Sequence, residues 1–228
     1  MRRILTAIIA IALAIGAKAQ IEEPRNILEL GVAGGINLSN MDFQPTVRQF
    51  RLQGMGGGIS VRYTSEKYFS MICAAQLEVN YAQRGWKEDF DEKTNNNSYS
   101  RCLNYVEIPF LAHLSFGKEP HGLQFFINLG PQIGFLLDDS EKYEGEWTIE
   151  SRPSGVRPVY GKQVDNKFDY GILGGAGLEL KTKAGNFFIE GRYYYGLGDI
   201  FNNSKTDDFG RSANTTISAR IGYSVRIF

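Results

Sequence analysis

The chain has 228 residues, with 25 basic and 25 acidic side chains and a formal net charge of zero. This balance shows no basic excess that would favour nucleic acid as a partner. Its 26 glycines, 15 phenylalanines and 12 tyrosines, with only 7 prolines, are typical of an all-β domain. After the N-terminal leader, no apolar run reaches the roughly 20 residues of a membrane helix.

The first predicted element is a secretory signal peptide over residues 1–19. Two arginines precede an uncharged apolar run at 4–17, and small residues at 17 and 19 form a cleavage site. The alternative, an N-terminal membrane helix, would need a longer apolar run. Cleavage leaves one predicted domain over 20–228, with 22 basic against 25 acidic residues because three basic residues leave with the signal.

Eight stretches follow in which apolar or aromatic residues alternate with polar or small ones. This is the period of a strand that has two different faces. Most stretches reach or exceed the about 9–11 residues that a tilted strand needs to cross a bilayer. The predicted strands are 27–38, 54–64, 70–87, 101–116, 122–137, 167–181, 186–196 and 214–227.

The links between these strands alternate strictly between long and short. All long links therefore lie at one end of the sheet and all short links at the other, as in outer-membrane barrels with short periplasmic turns and long extracellular loops. The sequence predicts an all-β, eight-stranded antiparallel up-and-down transmembrane β-barrel in the cell outer membrane. The four long extracellular loops are predicted at 39–53, 88–100, 138–166 and 197–213.

The two faces of each strand differ sharply in polarity. In the fourth strand Val106, Ile108 and Phe110 point one way, whereas Glu107 and His113 point the other. This alternation fits a soluble barrel with an apolar core as well as a membrane barrel with an apolar wall. Two features favour the membrane barrel. The polar faces are rich in Glu and Arg, and the final residues, 220–228, resemble the C-terminal assembly signal of outer-membrane barrels.

Aromatic residues near the strand ends support the same assignment. In a membrane barrel such residues form a girdle at each interface between lipid and water. The predicted girdle residues are Tyr63, Tyr81, Trp86 and Tyr195.

With the apolar face outward, twelve charged side chains point into the lumen. An eight-stranded barrel has an interior only wide enough for side chains to fill, and a buried charge needs a partner. We therefore expect a closed ion-pair network and no open pore. The six acids and six bases are Glu29, Glu78, Glu107, Asp169, Glu179 and Glu190 with Arg62, Arg84, Lys181, Arg192, Arg220 and Arg226.

His113 is the only plausible general base, because Glu107 and Ser115 share its strand face. Barrels that modify lipids need catalytic groups at the membrane-facing surface, whereas the alternation places His113 inside, near a short turn. We expect a structural histidine, and a protein that is not an enzyme. The glycine pairs are not followed by the helix of a phosphate loop, and no Cys/His spacing fits a metal. No catalytic, metal or cofactor site is predicted.

The two cysteines, Cys73 and Cys102, are predicted at opposite ends of neighbouring strands. That placement separates them by roughly 30–40 Å at about 3.3 Å per residue. No disulfide is expected, because bridged Cα atoms lie within about 7 Å.

Six segments, taken in order, are similar to a known family. The chain resembles the PorT-like outer-membrane β-barrel family of Gram-negative bacteria. The resemblance implies an outer-membrane barrel and, through the family's namesake, a link to a protein secretion and maturation system. It implies no catalytic residues. The segments are 31–39 (GVAGGINLS), 77–85 (LEVNYAQRG), 103–110 (LNYVEIPF), 129–135 (LGPQIGF), 168–179 (FDYGILGGAGLE) and 188–200 (FIEGRYYYGLGDI).

The leading hypothesis is a non-enzymatic barrel whose extracellular loops serve surface binding or envelope integrity. In the longest loop, Tyr143, Trp147 and Tyr160 are candidate contacts for a partner, although a solvated loop without a fixed role is the alternative. Expected partners are outer-membrane lipid and the barrel assembly machinery. The other hypotheses are an accessory component of a secretion system, with secretion-system subunits as partners, a channel for small solutes, and a soluble periplasmic lipid-carrying barrel.

Overall fold

The computed structural model describes residues 25–90, 97–119, 121–204 and 207–228. The predicted signal peptide lies outside the described residues. Eight antiparallel strands pair in chain order, and β1 pairs with β8 to close the barrel. Two short 3-10 helices lie between β5 and β6, at Ile149–Ser151 and Arg157–Val159. The strands are β1 (Ile27–Gln44), β2 (Gln49–Tyr68), β3 (Met71–Glu88), β4 (Ser98–Gly117), β5 (Gly122–Glu144), β6 (Phe168–Thr182), β7 (Gly185–Asp199) and β8 (Arg211–Arg226).

The closed eight-stranded antiparallel barrel confirms the predicted fold class. Within the middle of each strand the apolar side chains point outward, as Leu30, Val32 and Ile36 of β1 do at 44%, 56% and 45% exposure. The alternate side chains, such as Glu107 and His113 of β4, are buried in the lumen. This orientation is the reverse of a soluble lipid-carrying barrel. Within the described residues, no helix is both long enough and apolar enough to cross a bilayer.

The first predicted long loop, 39–53, is mostly strand, so that prediction was wrong. β1 continues to Gln44 and β2 begins at Gln49. The alternation persists beyond residue 38, but here the apolar side chains point inward and the polar ones outward. Met41 and Phe43 are buried inside the barrel, while Asp42 on the opposite face is partly exposed. Above the membrane the outer face meets water and the inner face is dry, so the favourable polarity of the two faces is exchanged.

The predicted aromatic girdle is correct in part. Tyr63 and Tyr195 are exposed on the outer wall near the strand ends, whereas Tyr81 is exposed on the wall in the middle part of β3. Trp86 was assigned wrongly, since it is fully buried inside the extracellular end of the barrel. Its position lies beyond the membrane band, where the apolar face of a strand turns inward.

Two inward-facing glycines allow the wall to close at a small radius. A Cβ atom on Gly35 would lie 2.0 Å from the carbonyl oxygen of Ala219, and one on Gly58 would lie 2.1 Å from that of Val79. Backbone atoms of neighbouring strands therefore approach too closely for any side chain at these positions.

The two cysteines lie at opposite ends of the barrel, as predicted. Cys73 pairs in register with Leu114 next to the periplasmic turns. Cys102 pairs with Gly85 towards the extracellular end. Both are free thiols.

Candidate functional site

The charged side chains of the lumen form three tiers, and the periplasmic tier is centred on Arg62. Its guanidinium group donates to Glu29 at 2.6 Å and makes a bidentate contact with Glu179 at 2.7 Å through each terminal nitrogen. Asn186 donates to the other oxygen of Glu29 at 2.6 Å. All four side chains are buried. One cation thus satisfies two buried carboxylates, which is the condition under which buried charge is tolerated.

His113 lies directly above this tier. Its Nε2 is 3.2 Å from the Arg62 guanidinium and its Nδ1 is 2.8 Å from Oδ1 of Asn128. Because a guanidinium group can only donate, Nε2 must accept, and the proton lies on Nδ1 and is donated to Asn128. The amide of Asn128 donates in turn to Glu190 at 2.7 Å, which sets its orientation. His113 is therefore a neutral link between tiers.

The middle tier is centred on the carboxylate of Glu78. Arg192 binds its two oxygens at 2.6 and 2.8 Å, and Arg220 donates at 2.9 Å. Gln76 and Asn80, two residues away on either side, donate at 2.5 and 2.8 Å. Glu78 thus accepts five hydrogen bonds.

The extracellular tier is centred on Arg84, which contacts Glu107 at 2.5 Å and Asp169 at 3.2 Å. Its guanidinium carbon lies 4.1 Å from the ring centroid of Tyr194, a cation–π arrangement. Asn214 donates to Asp169 at 3.0 Å. Arg84 thus holds Glu107. Glu107 lies six residues from His113 along β4, which is about 20 Å. The His113–Glu107–Ser115 set is not assembled.

Ten of the twelve predicted lumen charges belong to these tiers; Glu190 joins the middle tier through Arg192 at 2.8 Å. The other two are Lys181 and Arg226, which make no ion pair with the described residues. Lys181 is half-buried and Arg226 is exposed, both at the periplasmic mouth. Water reaches this mouth, so these cations need no carboxylate partner.

Little space remains between the tiers. Two lumen cavities have volumes of about 30 and 10 Å³, which is room for one or two water molecules. Polar atoms of Asn80, Thr216 and Tyr194 lack a hydrogen-bond partner among the described residues and border the larger cavity. This polar lining suits bound water, and the lumen is filled by side chains.

A hydrophobic cluster closes the extracellular end of the lumen. We call it the extracellular cap; it combines inward-facing strand residues with residues of the three segments that link β1 to β2, β5 to β6 and β7 to β8. The sequence analysis missed this cluster, although the alternating apolar residues 41, 43 and 47 were a signal for it. Its buried members are Met41, Phe43, Val47, Trp86, Tyr99, Leu103, Tyr105, Leu136, Val159, Tyr160, Ile200, Phe201 and Phe209.

Buried polar contacts hold the β5–β6 segment onto the cap. The carboxylate of Glu88, at the end of β3, accepts hydrogen bonds from Arg152 and from the Tyr160 hydroxyl. Burial raises the pKa of the Tyr160 phenol, and the hydrogen bond to Glu88 raises it further. Arg101 on β4 donates to the carbonyl of Lys162 at 2.7 Å. The segment is therefore packed as part of the fold.

The three candidate loop contacts differ in exposure. Tyr160 packs edge-on against Tyr99 with ring centroids 4.8 Å apart and is only 8% exposed, so it offers little surface to a partner. Trp147 is partly buried against the cap. Tyr143 lies on the extension of β5 and is 48% exposed. The structure places these residues in one aromatic cluster, with Tyr143 on its outer side.

Solved structures with this architecture include three bacterial barrels. Ail of Yersinia pestis, solved in complex with the heparin analogue sucrose octasulfate, is 16% identical to this chain. The match covers 87% of this chain and 99% of Ail, with a TM-score of 0.38. Neisserial surface protein A is 12% identical, with 90% and 99% covered and a TM-score of 0.44. The outer membrane enzyme PagL is 12% identical, with 86% and 98% covered and a TM-score of 0.42. A comparison with curated protein sequences found no match.

The family comparison covers most of the chain. The model of the outer membrane protein beta-barrel domain matches residues 18–202, which is more than half of the chain. Together with the closed barrel and its apolar outer wall, this match assigns the protein to the outer membrane. The chain belongs to the outer membrane protein beta-barrel domain family.

Proposed function

We propose that this protein is a non-conducting, non-enzymatic barrel that presents an extracellular head, made of the extracellular cap and the β5–β6 segment packed on it, for surface binding. The extracellular cap is the observation that carries the proposal. A channel would need an open mouth, whereas here aromatic side chains seal the mouth above a lumen filled with ion pairs. In this proposal the ion-pair network is a structural plug.

The head offers an apolar surface beside the cap. Tyr143 and Ile149 are 48% and 43% exposed, and the rings of Tyr143 and Trp147 lie 5.6 Å apart. Exposed aromatic and aliphatic side chains held by a packed base are typical of protein-binding surfaces, because little conformational entropy is lost on binding. We assign the Tyr143–Ile149 patch as the binding surface.

The absence of catalysis is part of the same proposal. His113 is 3% exposed, and both of its ring nitrogens are engaged, by Asn128 and Arg62. A general base must reach the proton that it abstracts. Lipid outside the wall has no access to this imidazole.

The test compares cells that lack the protein with cells that carry the wild type, the double variant Tyr143→Ser/Ile149→Ser, or the control Ser154→Ala. Ser154 is exposed in the same segment. Attachment to surfaces coated with fibronectin or with albumin reports binding, and growth in detergent with a chelator reports envelope integrity. We expect the double variant to lose attachment and keep detergent resistance. If only the deletion strain changes, and only in detergent resistance, the role is envelope integrity and not binding.

The resemblance to the PorT-like family supports a second candidate, an accessory component of a secretion machine. It rests on the six ordered segments named above, which lie on six of the eight strands. Co-purification of secretion-system subunits after extraction in mild detergent tests it. A barrel that copurifies only with its assembly machinery would remove this candidate.

A further inference from the structure

An apolar groove crosses the outer wall of the barrel over β1, β8, β7 and β6. We call it the wall groove; its volume is about 760 Å³. Gly34 lines the groove and faces outward, and because it has no side chain it leaves a gap between the larger side chains around it. The groove is lined mainly by Val32, Gly34, Leu180, Phe187, Ile221 and Tyr223.

The strand register places the wall groove in the periplasmic half of the membrane band. Val32, Tyr223, Phe187 and Leu180 lie side by side in one row across the four strands. Leu180 and Phe187 are each within three residues of the short turn that joins β6 to β7. At about 3.3 Å per residue, this row lies in the periplasmic leaflet close to its headgroups.

The periplasmic end of the groove carries positive charge. Lys183 lies exposed in the β6–β7 turn. The hydroxyl of Tyr223 donates to the carbonyl of Ala184, and its ring packs against Phe187 with centroids 4.9 Å apart, so the turn is held against the end of the groove. Lys183 supplies this charge, since Lys181 faces the lumen and residues 180–187 contain no acidic side chain. An apolar slot that ends at a cation is complementary to an anionic phospholipid.

We propose that the wall groove binds one anionic phospholipid of the periplasmic leaflet, with an acyl chain along the groove and its phosphate at Lys183. A flexible chain can follow a concave, mainly apolar slot, whereas the convex wall of a second barrel cannot fill it. The proposal rests on the membrane location and not on the surface-binding role of the head, so either can fail without the other.

Native mass spectrometry of the full chain, released from mild detergent after incubation with equal amounts of phosphatidylglycerol and phosphatidylethanolamine, tests the groove. We expect the wild type to retain one phospholipid, mainly phosphatidylglycerol. Gly34→Leu should reduce retention about tenfold, because the new side chain occupies the groove. A Cβ atom there lies 3.7 Å from the nearest atom, the carbonyl oxygen of Gly56, so the barrel can accept it.

The control is Gly174→Leu. Gly174 also faces outward, its Cβ would lie 3.7 Å from Leu129, and it does not line the groove. Its retention should equal that of the wild type. Lys183→Gln should abolish the preference for phosphatidylglycerol while some phosphatidylethanolamine is kept.

Three outcomes would overturn the proposal. Equal retention by the wild type and by a heat-modifiable Gly34→Leu variant would show that the groove holds no lipid. An unchanged headgroup preference in Lys183→Gln, whose substitution lies in an exposed turn and spares the fold, would remove the phosphate assignment. A dimer that Gly34→Leu dissociates would assign the groove to a second copy of the chain.

Discussion

Replacing Glu78 with glutamine removes the carboxylate that two buried arginines share. The side chain is 1% exposed, and it accepts from Arg192 at 2.6 and 2.8 Å and from Arg220 at 2.9 Å. The amide has the same shape, but Arg220 then has no carboxylate partner among the described residues, whereas Arg192 keeps Glu190. Removing one member of a buried ion pair costs about 3–5 kcal/mol. The unfolding equilibrium should shift by roughly 10²- to 4 × 10³-fold.

The assay is urea unfolding of the refolded barrel in lipid vesicles, followed by the mobility of unheated samples on a detergent gel. The double variant Glu78→Gln/Arg220→Gln should recover part of the loss, because the unpaired cation is gone. The control is Glu119→Gln, which breaks surface pairs with Lys67 at 2.9 Å and Arg25 at 3.1 Å, whose side chains are 26% and 27% exposed; its effect should stay within about 1 kcal/mol. A Glu78→Gln midpoint equal to that of this control would refute the role of the middle tier.

Three further predictions concern the pore, the wall and the cap. Planar-bilayer recordings should show no steady conductance, because the two lumen cavities bordered by the described residues measure only about 30 and 10 Å³; a large stable current would contradict this. Gly58→Ala should prevent assembly of the heat-modifiable form, whereas Gly191→Ala, where an added Cβ meets nothing within 4 Å, should assemble normally. Because the pKa of Tyr160 is raised in the fold, its stabilising contact with Glu88 is complete below the ordinary tyrosine pKa of about 10, weakens as the pH rises above that value, and is lost as the pH passes the raised pKa of the folded protein. Limited proteolysis of 145–167 should therefore accelerate at alkaline pH, and Tyr160→Phe should show this lability already at pH 8.

The strand period was sufficient to predict the barrel, because lipid and a narrow lumen impose opposite demands on alternate residues. In β4 every second residue from Leu103 to Ser115 is buried, as the alternation required. The same reasoning misplaced the ends of the strands. The sequence analysis interpreted Met41, Phe43 and Trp86 as loop or girdle residues. It expected apolar side chains to face outward, whereas above the membrane they face the interior of the barrel.

The candidate site was predictable only in part. The inward direction of Arg62 and Glu179 follows from alternation, but their pairing joins residues 117 positions apart. Local sequence carries no information on such a contact, since it depends on which strands face each other across the lumen. The same limit applies to Tyr160, whose aromatic side chain in a long loop indicated a surface contact until the packing against Tyr99 placed it in the cap.

By itself, the sequence determined the strand number and which residues share a face of each strand, because these depend on a period of two residues. The placement of the barrel in a membrane followed from the Glu- and Arg-rich polar faces and the C-terminal segment, because the period alone fits a soluble barrel as well. Only the tertiary structure decided which charges pair, how the loops close the mouth and where the wall is grooved. Those features arise from contacts between strands distant in the chain, whose geometry is set by barrel closure and by the glycines that permit it.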